Sequence, residues 1–280
     1  MGQLPHLQNL WEEYGDKGLH LFDVESQNHT IEKTKLFTRQ RGVTFPIPIQ
    51  NWSDFPMINS AALLDWGYDS KKLPSTYIIG VEGRVIWQGK FGFEEVLKEE
   101  LRKVRYPGLF RLEVDRAVQP IAKTFAAKKY GKAWKDVLKK LDLLDPEKNT
   151  AAVEDARWIV TRLEEISTYW RTVADEAMQE ARYHEAIPAL DKLASWYSGH
   201  DIGKKAADDL KALRKDPAVK KELAAMKSLE SLMDEYTLSR RQLTAYVERL
   251  VDFAKKHEGL VAATEALALA DGLTPHPVDR

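Results

Sequence analysis

The chain contains no cysteine among its 280 residues. Disulfides, Cys-ligated zinc and thiol nucleophiles are therefore excluded from this polypeptide, and its redox compartment is left undetermined. No stretch approaches the roughly 18 consecutive apolar residues of a membrane-spanning helix, and the N-terminus lacks the basic segment, apolar core and small-residue cleavage site of a signal peptide. An excess of one charge is also missing: 42 basic side chains face 43 acidic ones, and Lys or Arg never run beyond pairs. With no positive field to neutralise phosphates, nucleic acid is not expected as a partner. The 7 histidines are scattered, with no two at helical spacing of three or four, so neither a His-rich metal site nor a cofactor is expected.

What is present divides near Arg105-Tyr106-Pro107-Gly108. Of the 15 glycines, 9 fall at or before Gly92, and the β-branched and aromatic runs also precede the Pro-Gly pair. This predicts two domains, 1–106 of mixed α/β type and 107–280 all helical.

In the first, Leu4, Leu7, Leu10 and Trp11 recur at helical spacing, and Gly15 or Gly18 stops the helix. Leu19 to Val24 reads as a buried strand, and Thr30 to Arg41 as a second helix capped by Asn28 or Thr30. Phe45-Pro46-Ile47-Pro48-Ile49 is extended because each proline pushes its predecessor out of the helical region. A short helix is expected from about Asn59 to Trp66. Ser75 to Val81 and Arg84 to Gly89, joined by Glu82-Gly83, read as a β-hairpin, and Phe93 to Val104 as the closing helix. That order predicts a sheet covered on both faces, with a parallel pair from the helix-linked strands. Gly80 to Gly83 is a turn and no phosphate loop, since a strand follows it.

Leu4-Pro5-His6-Leu7-Gln8, the Gly18 to Val24 run, Phe45-Pro46, and Leu73-Pro74-Ser75-Thr76-Tyr77-Ile78-Ile79 followed by Glu82-Gly83-Arg84-Val85-Ile86-Trp87 resemble the TlpA-like thiol-disulfide oxidoreductases, or redoxins. The resemblance covers Leu4 to about Val104 and implies an incomplete thioredoxin-like domain. In that family a first strand leads into Cys-x-x-Cys at a helix start, and a proline like Pro5 follows shortly. Here Met1-Gly2-Gln3 stands just after the place of the second cysteine. Redoxin chemistry needs a thiolate activated by the helix N-terminus and a resolving thiol. No catalytic residue is therefore assigned, and this chain is expected to be redox-inactive. The resemblance further implies a cis Pro74, with Leu73, Pro74 and Ser75 as the substrate-binding edge that pairs with an extended peptide. Read from the residues alone, Pro74 instead opens a strand after Ser70-Lys71-Lys72. Two accounts of the front end stand: a start further upstream, or a loss from the gene. The first is favoured, because losing a central strand leaves backbone groups unpaired. The resemblance also suggests a bacterial, extracytoplasmic protein.

The second domain reads as consecutive amphipathic helices. Their stripes run Val114 to Ala126, Ala133 to Leu144, Thr150 to Ala181, Ala186 to Tyr197, Ile202 to Leu213, Val219 to Leu232, Leu243 to Phe253, and Leu260 to Leu269 with Gly272 as cap. Around Ala177-x-x-x-Ala181-Arg182-Tyr183-His184-Glu185-Ala186, the chain is similar to the helix-turn-helix of tetratricopeptide (TPR) repeats. Only this junction matches, and the ~34-residue period does not continue. A TPR-like array implies a groove for a protein or peptide partner; a helical extension packed only for stability is the plainer alternative. Glu99-Glu100 and Lys128-Lys129 read as solvated helix faces, His20 as a structural side chain, and the 8 tryptophans as packing.

Three functions are consistent with these features. One is a redoxin whose catalytic front is absent, marked by an upstream Trp-Cys-x-x-Cys. The second is a non-enzymatic binding or scaffold protein. The third is a glutathione-transferase-like protein, which expects a Glu-Ser pair after the hairpin where Gln88-Gly89-Lys90 stands.

Overall fold

A computed structural model describes residues 3–23, 30–47, 76–236 and 240–274. The described chain is mostly helical and carries a two-stranded antiparallel sheet. It divides into two compact units, Met1–Leu112 and Glu113–Arg280.

The first unit opens with α1, Leu4–Tyr14, which buries Leu4, Leu7 and Leu10. A 3-10 turn, Gly15–Lys17, ends it at Gly18, whose φ is 108°. A side chain there would suffer twice: the left-handed backbone resists it, and a Cβ would lie 2.8 Å from the Val104 methyl. Helix α2, Ile31–Gln40, starts where the Lys33 N–H donates to Thr30 Oγ1 at 3.2 Å, which selects Thr30 as the cap. The hairpin pairs β1, Thr76–Ile79, with β2, Val85–Gly89, and helix α3, Glu94–Lys103, follows. The core gathers Leu4, Leu7, Leu10, Phe45, Ile78, Phe93 and Leu97. Each such buried side chain contributes about 1.5–3 kcal/mol of transfer free energy.

Three expectations for this unit change. Residues 19–23 form no strand. Asp23 N–H donates to the Pro46 carbonyl at 3.2 Å, but proline has no N–H to return and cannot propagate a ladder. The hairpin turn has three residues rather than two: Gly80 N–H donates to Arg84 O at 2.8 Å, Gly83 N–H to Gly80 O at 2.9 Å, and Gly83 sits at φ 75°. That is a type I turn closed by a left-handed glycine. Glu100 is no solvated face, because it accepts the Val81 N–H at 3.1 Å and pairs with Lys103. Lys103 and that N–H hold its carboxyl below the usual range. The sheet of the described residues contains the antiparallel pair alone; the helix expected at 59–66 lies outside them.

The second unit consists of helices α4, Gln119–Ala126; α5, Tyr130–Leu141; α6, Thr150–Gln179; α7, Tyr183–Trp196; α8, Asp201–Lys215; α9, Pro217–Asp234; α10, Arg240–Lys256; and α11, Val261–Leu273. Each packs on its neighbour in sequence apart from the pair α9 and α10; α9 instead reaches α7 and α11 as well as α8. Short connections bring consecutive helices side by side. Val114 to Val118 is not helical as its apolar spacing predicts. Asp115 Oδ1 accepts the Ala117 N–H at 2.8 Å, a local turn that competes with helix, while Asp115 N–H donates to Asp155 Oδ2 at 2.7 Å. Gly272 is no cap; it lies inside α11, and the left-handed glycine of this pair is Gly259, φ 82°, between α10 and α11.

Candidate functional site

Leu73, Pro74 and Ser75, the substrate-binding edge implied by the redoxin resemblance, lie outside the described residues. The elements around their neighbour Thr76 are described. In β1, Ile78 is buried in the core, whereas Ile79 is half exposed. The first turn of α1 is tied to the far end of the hairpin and to α3: Gln3 Nε2 donates to Lys90 O at 2.7 Å, and His6 Nε2 meets Glu94 Oε1 at 3.0 Å. Neither contact supplies a nucleophile. Further along α1, buried Gln8 clasps Thr44, donating to its Oγ1 at 2.9 Å and accepting its backbone N–H at 2.8 Å. Among the described residues, no group of three or more His, Asp or Glu is placed to hold a metal ion.

The helical unit offers a more developed arrangement. The junction between α6 and α7 holds Ala181 at φ 54°, with Arg182 N–H donating to Ala177 O at 2.7 Å and Ala181 N–H to Met178 O at 3.2 Å. The junction between α4 and α5 repeats it bond for bond. Lys128 is at φ 56°, Lys129 N–H donates to Thr124 O at 3.2 Å, and Lys128 N–H to Phe125 O at 2.8 Å. In both, a tyrosine opens the second helix and an alanine three residues on, Ala133 or Ala186, is fully buried. The small side chain lets the paired helices approach. A second helical hairpin of the same build thus stands where the sequence suggests only one. The Tyr-x-x-Ala pair at Tyr130 and Tyr183 carried the signal. It was masked because α4 is only 8 residues long and α6 is 30, which destroys any regular period.

Two glycines seat these hairpins on one another. Gly131 of α5 and Gly203 of α8 both press on the Tyr197-Ser198 backbone at the end of α7. Tyr197 is fully buried and donates its hydroxyl to Leu163 O of α6 at 2.6 Å. Burial drives its pKa far above the ordinary tyrosine range. Its ring lies 5.4 Å from Tyr130 and 6.1 Å from Trp134, and Trp134 stacks on His200 at 4.7 Å.

Between α6 and α8 runs a groove of about 310 Å³. Leu193 and Ser167 lie buried at its floor, Ile202 supplies apolar surface, Thr168 and Thr172 hydroxyls, and Arg171 and Lys205 charge. Arg171 is committed to structure: it meets Asp175 at 2.6 Å on its own helix and pairs with Asp209 on α8. Ser167 donates its hydroxyl to Glu164 O at 2.9 Å, which leaves the exposed hydroxyls of Thr168 and Thr172 and the half-buried Ile202 at the groove surface.

In comparisons with family models, curated proteins and solved structures, none matches this chain. Among the described residues no helix is long and apolar enough to cross a membrane.

Proposed function

We propose that this chain is a protein-binding module in which a redoxin-type, thioredoxin-like unit without catalytic thiols precedes a TPR-like helical array. The observation that carries the binding role is the duplicated junction, Lys128 to Ala133 and Ala181 to Ala186, which stacks helical hairpins. Stacked hairpins build grooves between alternate helices, and the groove between α6 and α8 takes an extended peptide. The test is binding of the full chain to an array of synthetic extended peptides, compared with Thr172→Arg, which places a bulky cation at the exposed edge of that groove. Binding that Thr172→Arg abolishes supports the proposal. An array on which no peptide binds overturns it.

The redoxin part of the reading rests on the quoted motifs, with support from the packing of α1, the hairpin and α3 around Ile78 and Phe93. An insulin-disulfide reduction assay tests it on two proteins: the chain itself, and a version extended upstream by a strand and Trp-Cys-x-x-Cys. The chain is expected to be inert and the extended version active. Inertness of both leaves the first unit a binding scaffold and removes the thiol-disulfide relationship.

A further inference from the structure

The Nζ of Lys192, on α7, lies 3.6 Å from the ring centroid of Trp170, on α6. The Nζ of Lys128, at the junction of α4 and α5, lies 5.3 Å from the ring of Trp196, on α7. The two indoles meet edge to face at 6.1 Å, and Tyr169, 60% exposed, packs on Trp170 at 5.0 Å. Three helical segments thus bring two ammonium groups onto one continuous aromatic surface. We propose that this surface, with Lys128 and Lys192 over Trp196 and Trp170, binds the carboxylates of an acidic peptide. This rests on the helical unit being a peptide-binding array and names the chemistry of its partner.

Three features separate this cluster from ordinary surface lysines. The sequence pattern reads Lys128 as part of a solvated helix face, yet it is half-buried and occupies the left-handed position of its junction. Glycine would hold that backbone at lower cost, and the equivalent position in the other junction is Ala181. Lys192 has no carboxylate partner among the described residues, and burial together with the like charge of Lys128 pushes its pKa below the ordinary lysine value. Burial and a like charge nearby both disfavour the Lys192 ammonium, and a bound anion removes that cost. The indole faces meanwhile retain their attraction for the ammoniums and offer apolar surface to a neighbouring side chain.

A peptide suits the surface better than a nucleic acid. A phosphate backbone is tracked by a stripe of many cations. Here the patch has two, on a chain with 42 basic and 43 acidic side chains. Two carboxylates spaced along a peptide, with an apolar side chain between them, match two ammoniums separated by touching indoles.

The experiment titrates the full chain with a labelled synthetic peptide of glutamate and leucine and with its glutamine counterpart, followed by anisotropy and tryptophan fluorescence. The glutamate peptide is expected to bind with strong salt dependence and to perturb the tryptophans, with the glutamine peptide about tenfold weaker or worse. Lys192→Met, which keeps the apolar stem, is expected to lose about tenfold, and Lys192→Arg to bind like the parent. Circular dichroism establishes that each variant is folded, and the salt dependence of the parent reads the charge contribution without any substitution. Equal binding of both peptides, undiminished binding by a folded Lys192→Met, or competition by inorganic tripolyphosphate as effective as the peptide overturns the proposal. Peptide binding that Thr172→Arg abolishes and Lys192→Met leaves intact overturns this site while keeping the array a peptide binder; no binding of either peptide, together with a blank peptide array, overturns both.

Discussion

Gly203 of α8 lies against Tyr197 at the end of α7, so close that a Cβ would stand 2.6 Å from the Tyr197 carbonyl carbon. Alanine favours a helix interior over glycine by about 1 kcal/mol, so propensity alone makes Gly203→Ala stabilising. The clash is with backbone, which cannot swing aside, and overpacking of this kind costs about 1–3 kcal/mol or more. Gly203→Ala is therefore expected to lower the urea midpoint, read by helical circular dichroism, with Gly131→Ala acting in the same direction. Because both press on Tyr197-Ser198, the double variant is expected to be non-additive. A midpoint that rises would show that the two helices are free to separate.

Glu222 of α9 ends its side chain on another helix. Its carboxylate oxygens accept the N–H groups of Val261 at 3.0 Å and Ala262 at 2.8 Å, in the first turn of α11. That turn has no side-chain cap of its own, and the buried anion meets the positive end of the helix. Glu222→Gln turns one acceptor into a donor facing a donor, at an expected loss of about 1–3 kcal/mol. Amide exchange at Val261 and Ala262 should quicken more than in α6; uniform exchange would refute a local capping role.

Tyr246 has a buried hydroxyl with no hydrogen-bond partner among the described residues, and burial pushes its pKa up to about 12. The folded state holds the neutral phenol, whereas the unfolded chain ionises near the ordinary value of about 10. The stabilisation is complete below about pH 10 and is lost as pH rises towards about 12. Tyr246→Phe removes both the unpaired hydroxyl and this titration. It is expected to gain up to about 1 kcal/mol near neutrality and to flatten alkaline unfolding without abolishing it, since Tyr197 contributes in the same sense. An unchanged alkaline profile would count against the assignment.

In the first unit, Gln8→Leu leaves the Thr44 N–H without its acceptor in a buried setting. The expected cost is about 1–3 kcal/mol, read as faster hydrogen exchange at Thr44 and a lower unfolding midpoint. Equal exchange in the two proteins would mean that water replaces the clasp.

Helix positions were legible wherever apolar residues recur at helical spacing and a stop stands nearby. Thr30 opens α2, Gly18 follows α1, and Gly199, φ 81°, separates α7 from α8. Local chemistry misled where a distant or competing partner intervened. Asp115 draws its backbone into a turn held by Asp155, forty residues on, and Pro46 denies the Leu19 to Asp23 run its returning bond. Glu100 and Lys128 read as solvent-facing charges because nothing nearby in sequence announces Val81 or Trp196. Leu73, Pro74 and Ser75 lie outside the described residues, and their role stands on resemblance.

The sequence by itself determined that this chain has no thiol chemistry, that its second unit is helical, and that a hairpin turns near Gly83. These follow from residue type and from spacing within a few turns of chain. Only the tertiary structure decided that Lys128 and Ala181 occupy equivalent junctions, that Glu222 caps a helix 39 residues away, and that two lysines share one aromatic surface. Such relationships depend on which helix faces meet, and packing across long sequence separations sets that.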